Sequence, residues 1–352
     1  MTTVGFIGLG LIGAKRFAIA RDLGCRIAFA VEPDPARRQA LGAEGCQFVS
    51  DIAELEDISA GQLDAVFIAV PHDLAYRSCL WALDRHAHVL CEKPMGLNPA
   101  EARTIRSRAS SASRKFCAGF NFRFLPGVVA LRQLLRQSAL GEIHRARIMM
   151  AHGGRPGMER EWKLEKARSG GGALIDPGVH LIDLARNLLG DGEVVDCRLS
   201  RRFWDADVED NCSLRLQVGR VDVTIDVGLT SWKNLFSIEI FGSDGIALLT
   251  GRGGNYGPQK LEFVNRWFWN GDDRRNSQTF ADEDSTFYAE TTAFLEWMRS
   301  GSLDDTLATA DDGVAALDIV GCCYRDFPPV AVIPASAAKC HLKSAAQFGS
   351  SR

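Results

Sequence analysis

The stretch "GFIGLGLIG", residues 5–13, carries three glycines in G-x-G-x-x-G spacing, between an apolar run typical of a strand and a helical pattern. In that context Gly8 permits a tight turn, Gly10 lets backbone approach a pyrophosphate, and Gly13 lets the helix pack closely on the strand. The amides at the helix N-terminus favour phosphate charge. A glycine-rich turn without a ligand is the alternative. The predicted cofactor contacts of this loop are Gly8, Gly10, Leu11, Ile12 and Gly13.

A carboxylate at the end of the second apolar run supports the dinucleotide interpretation. Glu32 lies 19 positions after Gly13, close to the ~20 residues expected for a carboxylate that binds ribose hydroxyls. It would repel a 2′-phosphate, and Pro33 offers no backbone N–H to one. We therefore predict NAD rather than NADP. Arg37 and Arg38 leave an alternative open, since they could hold a 2′-phosphate or form a solvated helix face.

The pattern of apolar runs divides the chain into two parts. Over residues 1–123, short apolar runs alternate with helical patterns, which predicts a doubly wound α/β domain with a parallel sheet. Residues 124–330 contain runs with period-2 alternation, such as "VDVTIDVGLTS", and helical patterns at 286–299 and 310–324. They predict an α+β domain with a large, open, mainly antiparallel sheet, whose late helices pack back on the first domain. Residues 331–352 are expected to be poorly ordered.

Composition narrows the class of partner. The 352 residues are 46% hydrophobic and 24% charged, with a net charge of -3, so nothing indicates binding to nucleic acid or a membrane surface. No apolar run approaches the ~20 residues of a membrane span. The ten cysteines form no C-x-x-C pair, which favours reduced thiols, a cytoplasmic location and no metal site. The open sheet predicts a homodimer or homotetramer.

The segment "SGGGALIDPGVHLIDLARNLLG", residues 169–190, predicts a helix with Asp176 as its N-cap. On a helical wheel His180, Asp183 and Asn187 share one stripe with Asp176. One interpretation is a capped helix with a solvated side. The other is a proton-transfer pair, because a carboxylate one turn from a histidine can orient the ring. Three consecutive glycines, 170–172, suggest close approach to a chain segment or a ligand.

A second polar pair follows the apolar run in "HVLCEKPMGLNP", residues 88–99. Glu92 and Lys93 stand where a buried strand ends, and ligands bind at that edge of open α/β sheets. A solvated ion pair at a strand end is the alternative. Glu92 would either position the lysine or cap the turn.

Taken together, these motifs resemble the glucose-fructose oxidoreductase, inositol dehydrogenase and rhizopine catabolism (Gfo/Idh/MocA) family. The resemblance rests on the glycine loop, "EKP" at 92–94, "GGGALIDPGVHLID", and "GFNFRFLP" at 119–126, and covers roughly 320 residues. It implies that Lys93 is the active-site lysine and that Asp176 and His180 form the substrate pair. It also implies a Lys93–Pro94 peptide bond that is often cis.

The resemblance implies further contacts around the same centre. The implied cofactor contacts are Val70, Pro71, His72, Glu92 and Lys93. The implied substrate contacts are Lys93, Arg123, Trp162, Lys163, Asp176 and His180. One departure is "VPHDLAYR", residues 70–77, because the family often has a small polar residue after the proline and a histidine further on. Tyr76 or His72 would substitute for them.

The implied activity is hydride transfer between a secondary hydroxyl of a sugar, cyclitol or sugar derivative and a nicotinamide, with His180 as general base and Lys93 stabilising the oxygen. Two other functions are known in the family and remain open. One is transient oxidation by tightly bound NAD during glycoside cleavage or epimerisation, and the other is dinucleotide-dependent regulation without catalysis.

Overall fold

The apolar runs of the first third form a parallel sheet. The structure is a computed structural model that describes residues 1–42, 45–55, 62–265, 275–281, 284–328 and 330–331. Within these residues the sheet has six strands in the order β3-β2-β1-β4-β5-β6. The strands are β1 (Thr3–Ile7), β2 (Arg26–Val31), β3 (Gln47–Val49), β4 (Ala65–Ile68), β5 (His88–Glu92) and β6 (Phe116–Gly119). The strand order reverses beside β1 and β4, so the carboxyl ends of these strands flank the crevice where such sheets bind ligands.

Helices cover both faces of this sheet, which explains why its strands are apolar without alternation. The helices are α1 (Leu11–Asp22), α2 (Pro35–Leu41), α3 (His72–Asp84) and α4 (Pro99–Ser111). Helix α4 begins as its sequence predicts, because the Asn98 side chain accepts hydrogen bonds from the amides of Ala100 and Glu101. Helix α5 (Pro126–Arg136) then leads into the second part of the chain.

The second sheet is large and mainly antiparallel. Its described strands follow the order β14-β13-β12-β11-β7-β10-β9-β8-β15. They are β7 (Ile143–Ala151), β8 (Glu193–Arg201), β9 (Asn211–Val218), β10 (Val221–Gly228), β11 (Leu235–Gly242), β12 (Gly245–Thr250), β13 (Lys260–Asn265), β14 (Arg275–Thr279) and β15 (Val330–Ala331). Within this second sheet, only the pairs β7–β10 and β8–β15 are parallel among the described strands. On β10, Val223, Ile225 and Val227 are buried, as the period-2 pattern predicts. The predicted fold class is confirmed.

The remaining helices are α6 (Lys166–Ser169), α7 (Val179–Leu189), α8 (Thr286–Ser300) and α9 (Ala310–Asp326). Helix α8 packs on α1, and α9 packs on α4. A Cβ at Gly321 would lie 2.5 Å from the Pro99 side chain, so α9 and α4 approach closely. The late helices therefore contact the helices of the first sheet. The predicted tail lies outside the described residues from 332 onward.

The nine described cysteines are free thiols, and Cys340 lies outside the described residues. No helix in the described ranges is long and apolar enough to cross a bilayer.

Candidate active site

The glycine loop connects β1 to α1 and is shaped by close backbone contacts. Gly8 has φ 90°, and a Cβ there would lie 2.3 Å from the carbonyl oxygen of Ala69. A Cβ at Gly13 would lie 2.0 Å from the carbonyl oxygen of Gly8. A Cβ at Gly10 would meet nothing within 4 Å. Gly8 and Gly13 are thus required by packing, whereas Gly10 borders open space at the α1 N-terminus, beside the exposed Leu11 and half-buried Ile12. This geometry fits a bound pyrophosphate.

The Glu32 carboxylate is fixed beside this loop. It is 3% exposed and accepts hydrogen bonds from the amides of Leu9 at 2.9 Å and Asp34 at 3.0 Å. The guanidinium of Arg37 lies 3.6 Å from the carboxylate and is largely exposed. Arg38 is half-buried. The carboxylate therefore stands between the end of β2 and the glycine loop, where a ribose-binding group is expected.

His72, in the segment that follows β4, connects α3 with α6 of the second part of the chain. It begins α3 after Val70 and Pro71, and its Nδ1 donates a hydrogen bond to the Ser169 carbonyl oxygen at 2.8 Å. Burial lowers the pKa of His72 to about 4, although the nearby Asp176 carboxylate opposes the shift. The imidazole is therefore neutral at pH 7, and Trp162 packs edge-on against it at 4.7 Å.

A carboxylate held between two ammonium groups forms the centre of the site. The Lys93 Nζ donates hydrogen bonds to Asp176 Oδ1 at 2.8 Å and to the Asp176 carbonyl oxygen at 2.9 Å. The Lys163 Nζ donates to Asp176 Oδ2 at 2.7 Å. Burial alone would raise the pKa of Asp176, but the ammonium groups of Lys163 and Lys93 hold it well below its ordinary value. The Lys93–Pro94 peptide bond is cis.

Asp176 is not a helix cap, and that part of the sequence prediction is wrong. It lies inside a π-helical turn, Leu174–Gly178, which continues into α7. Its carboxylate is turned toward the two lysines and makes no capping hydrogen bond. A π-type turn of this kind is frequent at functional sites.

The three glycines before Asp176 allow close contact with another chain segment. A Cβ at Gly172 would lie 1.8 Å from the Glu209 carbonyl oxygen, and one at Gly171 would lie 2.0 Å from the Tyr324 hydroxyl oxygen. The Glu209 carboxylate accepts hydrogen bonds from the Gly172 amide and the Tyr324 hydroxyl. Of the two interpretations that the sequence left open, the contact with a chain segment is the one observed.

His180 lies one turn after Asp176 and is 6% exposed. Its ring stacks on Phe122 at 3.9 Å and meets the edge of Phe120 at 5.9 Å. Its Nδ1 is buried and has no hydrogen-bond partner. Burial, followed by the charge of Lys93, holds the pKa of His180 well below its ordinary value. The ring is therefore neutral at pH 7.

Arg123 and Glu92 belong to structural ion pairs, which corrects the sequence interpretation. Arg123 is 3% exposed and binds both carboxylate oxygens of Asp183, at 2.6 and 2.8 Å. It is therefore not among the groups gathered around Asp176, and Asp183 is buried rather than solvated. Glu92 accepts a hydrogen bond from Arg16 at 2.7 Å. Its carboxylate thus faces α1 and neither caps the turn nor contacts Lys93.

His152, which the sequence analysis missed, also lies near this centre. It follows β7, and its Nδ1 accepts a hydrogen bond from the Gly154 amide at 2.9 Å, so Nε2 carries the proton of the neutral ring. Burial lowers the pKa of His152, while Asp176 opposes and Lys163 reinforces the shift. A histidine directly after a strand with one buried face was the available signal, but β7 itself was not predicted.

Comparison with known proteins agrees with this geometry. Residues 2–120 match the model "Oxidoreductase family, NAD-binding Rossmann fold", and residues 128–248 match the GFO/IDH/MocA C-terminal domain. An inositol 2-dehydrogenase of Rhizobium meliloti (strain 1021) is 26% identical over 342 residues, which cover 91% of this chain and 95% of that protein.

Two solved structures share the fold. A levoglucosan dehydrogenase in complex with NADH superposes with a TM-score of 0.79 at 21% identity, covering 91% of this chain and 95% of that chain. A mutant of KijD10, a 3-ketoreductase from Actinomadura kijaniata in complex with TDP-benzene and NADP, superposes with a TM-score of 0.79 at 20% identity, covering 94% of this chain and 99% of that chain.

Proposed function

Because this chain belongs to the GFO/IDH/MocA family of oxidoreductases, we propose that it transfers a hydride between a secondary hydroxyl of a sugar, cyclitol or sugar derivative and NAD. The observation that carries the proposal is the cluster of Lys93, Lys163 and Asp176 beside His180. The glycine loop and Lys93 both lie at the carboxyl edge of the first sheet. The cluster lies where this edge meets the second sheet. The names of the relatives, an inositol 2-dehydrogenase and a levoglucosan dehydrogenase, agree with this substrate class.

Each polar group of the cluster has a separate task in this reaction. A bound nicotinamide supplies the hydride acceptor for oxidation. The Lys93 ammonium donates a hydrogen bond to the reacting oxygen and stabilises its developing negative charge. His180, which is neutral, accepts the hydroxyl proton. Asp176 fixes the positions of Lys93 and Lys163 and stays ionised, because both ammonium groups contact it.

The preference for NAD over NADP follows from Glu32. Its buried carboxylate already accepts two backbone hydrogen bonds, and a 2′-phosphate placed beside it would meet a fixed negative charge. Fluorescence titration with NADH and NADPH tests this preference. Tighter binding of NADPH would overturn it and would point to Arg37 as the phosphate ligand.

The reaction is tested with a panel of sugars, inositols and nucleotide-sugars, read as NADH absorbance. Lys93→Met and His180→Asn should each lower turnover roughly 10² to 10⁴-fold, because each removes a proton-transfer or charge-stabilising group. Both variants should still bind NADH. Lys166→Met and His144→Asn, at exposed positions, are matched controls and should keep wild-type turnover.

Three outcomes of this panel distinguish the alternatives. Near-wild-type activity of both site variants would refute the assignment of Lys93 and His180. Product formation without accumulation of NADH would indicate transient oxidation by tightly bound NAD. NADH binding without turnover of any panel compound would favour a regulatory role.

We also propose that the chain forms a homodimer or homotetramer through its second sheet. The outward side of this sheet is polar. The Arg147 guanidinium on β7 lies 3.8 Å from the Glu239 carboxylate on the neighbouring strand β11. Thr224 and Asp226 lie on the same side of β10. The expected interface is therefore rich in hydrogen bonds and ion pairs. Light scattering after size exclusion tests it, and a monomer would refute it.

A further inference from the structure

Arg252 lies beside the proposed active site without an assigned task. It follows β12, and its guanidinium carbon sits 4.7 Å from the ring centroid of Phe122 and 4.4 Å from that of Tyr256. The Phe122 ring in turn stacks on His180 at 3.9 Å. The separation between the Arg252 guanidinium and the His180 ring is therefore at most the sum of their distances to the Phe122 ring. One carbohydrate ring and its substituent can bridge such a separation.

The guanidinium of Arg252, a half-buried residue, lacks the acidic partner that the buried arginines have. Its Nε is buried and has no hydrogen-bond partner, and no carboxylate of the described ranges lies within ion-pair distance of it. By contrast, Arg16 and Arg123 are each paired with carboxylates. Partly burying a guanidinium without a counter-charge is unfavourable, so the Arg252 environment is suited to an anion supplied from outside the chain.

The charges around the site favour the same ligand. Lys93 and Lys163 share the single carboxylate of Asp176, and Arg252 adds a third cation. The nearby imidazoles of His152 and His180 have lowered pKa values and contribute no positive charge at pH 7. The cluster thus carries more cationic than anionic groups, which attracts a negatively charged substrate.

We propose that Arg252 forms an anion subsite, which binds a carboxylate or phosphate group of the substrate while the reacting hydroxyl lies at Lys93 and His180. The inference rests on the proposed function, because it places a carbohydrate between these groups. A planar guanidinium binds either anion through two parallel hydrogen bonds. The favoured substrates are therefore acidic sugars, acidic cyclitols or their phosphates, rather than neutral ones.

Calorimetric titration of the NADH-bound protein tests the subsite independently of turnover. The probes are D-glucuronate, its methyl ester, D-glucose 6-phosphate and D-glucose, so that each acid has a neutral counterpart. The wild type should bind at least one acid tenfold or more tightly than its neutral counterpart. Arg252→Gln should abolish this difference, and Arg252→Lys should keep part of it, because the charge remains without the planar fork.

Arg160→Gln is the matched control, because Arg160 is exposed in the loop that carries Trp162, and its preference should equal that of the wild type. NADH binding by each variant verifies the fold. Equal binding of acids and neutral counterparts, absence of binding by both acids, or an undiminished preference in Arg252→Gln would each overturn the inference. Oxidation of neutral sugars without acid preference would refute the subsite alone. Tight acid binding with no oxidation of any probe would support the subsite and count against the dehydrogenase.

Discussion

A buried arginine between two carboxylates gives a prediction about stability and pH. Arg16 on α1 is fully buried and donates hydrogen bonds to Glu92 at 2.7 Å and to Glu290 at 2.5 Å. The second carboxylate oxygen of Glu290, Oε1, is buried without a partner. One cation cannot balance the two carboxylates, of which Glu290 is fully buried and Glu92 half-buried. Burial, assisted by the charge of Glu92 and opposed by Arg16, therefore raises the pKa of Glu290 to about 7.

The raised pKa fixes the direction of the pH dependence. The native state retains a proton on Glu290 that the unfolded state releases above the ordinary pKa of 4.5. The contribution to stability is therefore fully present below pH 4.5, decreases as the pH rises, and is lost above about 7. The difference between the two pKa values corresponds to about 3 kcal/mol in the free energy of unfolding, most of which is lost between pH 5 and about 8.

Glu290→Gln removes this titration while keeping an oxygen that accepts from Arg16. Urea unfolding at pH 5 and 8 should show that the variant gains stability relative to the wild type by about 2 to 3 kcal/mol over that interval. Glu296→Gln, an exposed position on the same helix α8, should leave the wild-type slope unchanged. Parallel curves for wild type and Glu290→Gln would refute the reasoning. So would a variant several kcal/mol less stable at pH 8, since that result would require an ionised, essential Glu290.

Four further outcomes are expected. Gly10→Ala should keep wild-type stability, because the added Cβ enters only open space. It should weaken NADH binding at least tenfold in a fluorescence titration, because that space is where the pyrophosphate fits. Gly13→Ala should lower the melting temperature, because its Cβ would lie 2.0 Å from the Gly8 carbonyl oxygen, and an unchanged melting curve would contradict this. The pH profile of kcat/KM should have no acid limb near 6.5, because the pKa of His180 lies well below that value; a limb at 6.5 that disappears in His180→Asn would contradict the neutral ring. Glu32→Gln should lower the free energy of unfolding by about 1 to 3 kcal/mol in urea, because an amide cannot accept both backbone hydrogen bonds; equal midpoints would contradict the observed bonds.

Local patterns predicted the first sheet and the late helices well. The predicted helix at residues 310–324 is observed as Ala310–Asp326, and the one at 286–299 as Thr286–Ser300. The ends of these helices are determined by neighbouring residues. For example, Thr309 precedes the last helix, and its side chain forms a capping box with Asp312. The glycine loop was also predictable, because its turn, phosphate contact and helix packing are all specified within a few residues.

Partners supplied by distant segments were not predictable in this way. The helical wheel placed Asp183 on a solvated stripe, but a wheel cannot show that Arg123, 60 positions away, would cover it. His152 and Arg252 follow strands β7 and β12, which β11 separates in the second sheet. Their approach to His180 depends on that strand order, which no local pattern reveals. The residues near His180 that local patterns did not reveal are therefore those that follow strands of the second sheet.

The end of β5 shows how the two sheets are fixed to one site. Adjacent residues there enter different networks: Glu92 binds Arg16 of α1, and Lys93 binds Asp176 before α7. Because α1 begins at the glycine loop, and Glu290 of α8 holds the same arginine, the first network sets the distance between the loop and the strand end. The second network sets the distance between the strand end and the second sheet. A carboxylate and an amine at the tip of a buried strand are therefore not an ion pair with each other, since each pairs with a different element. Together they hold the lysine between the dinucleotide loop and the helix that carries His180.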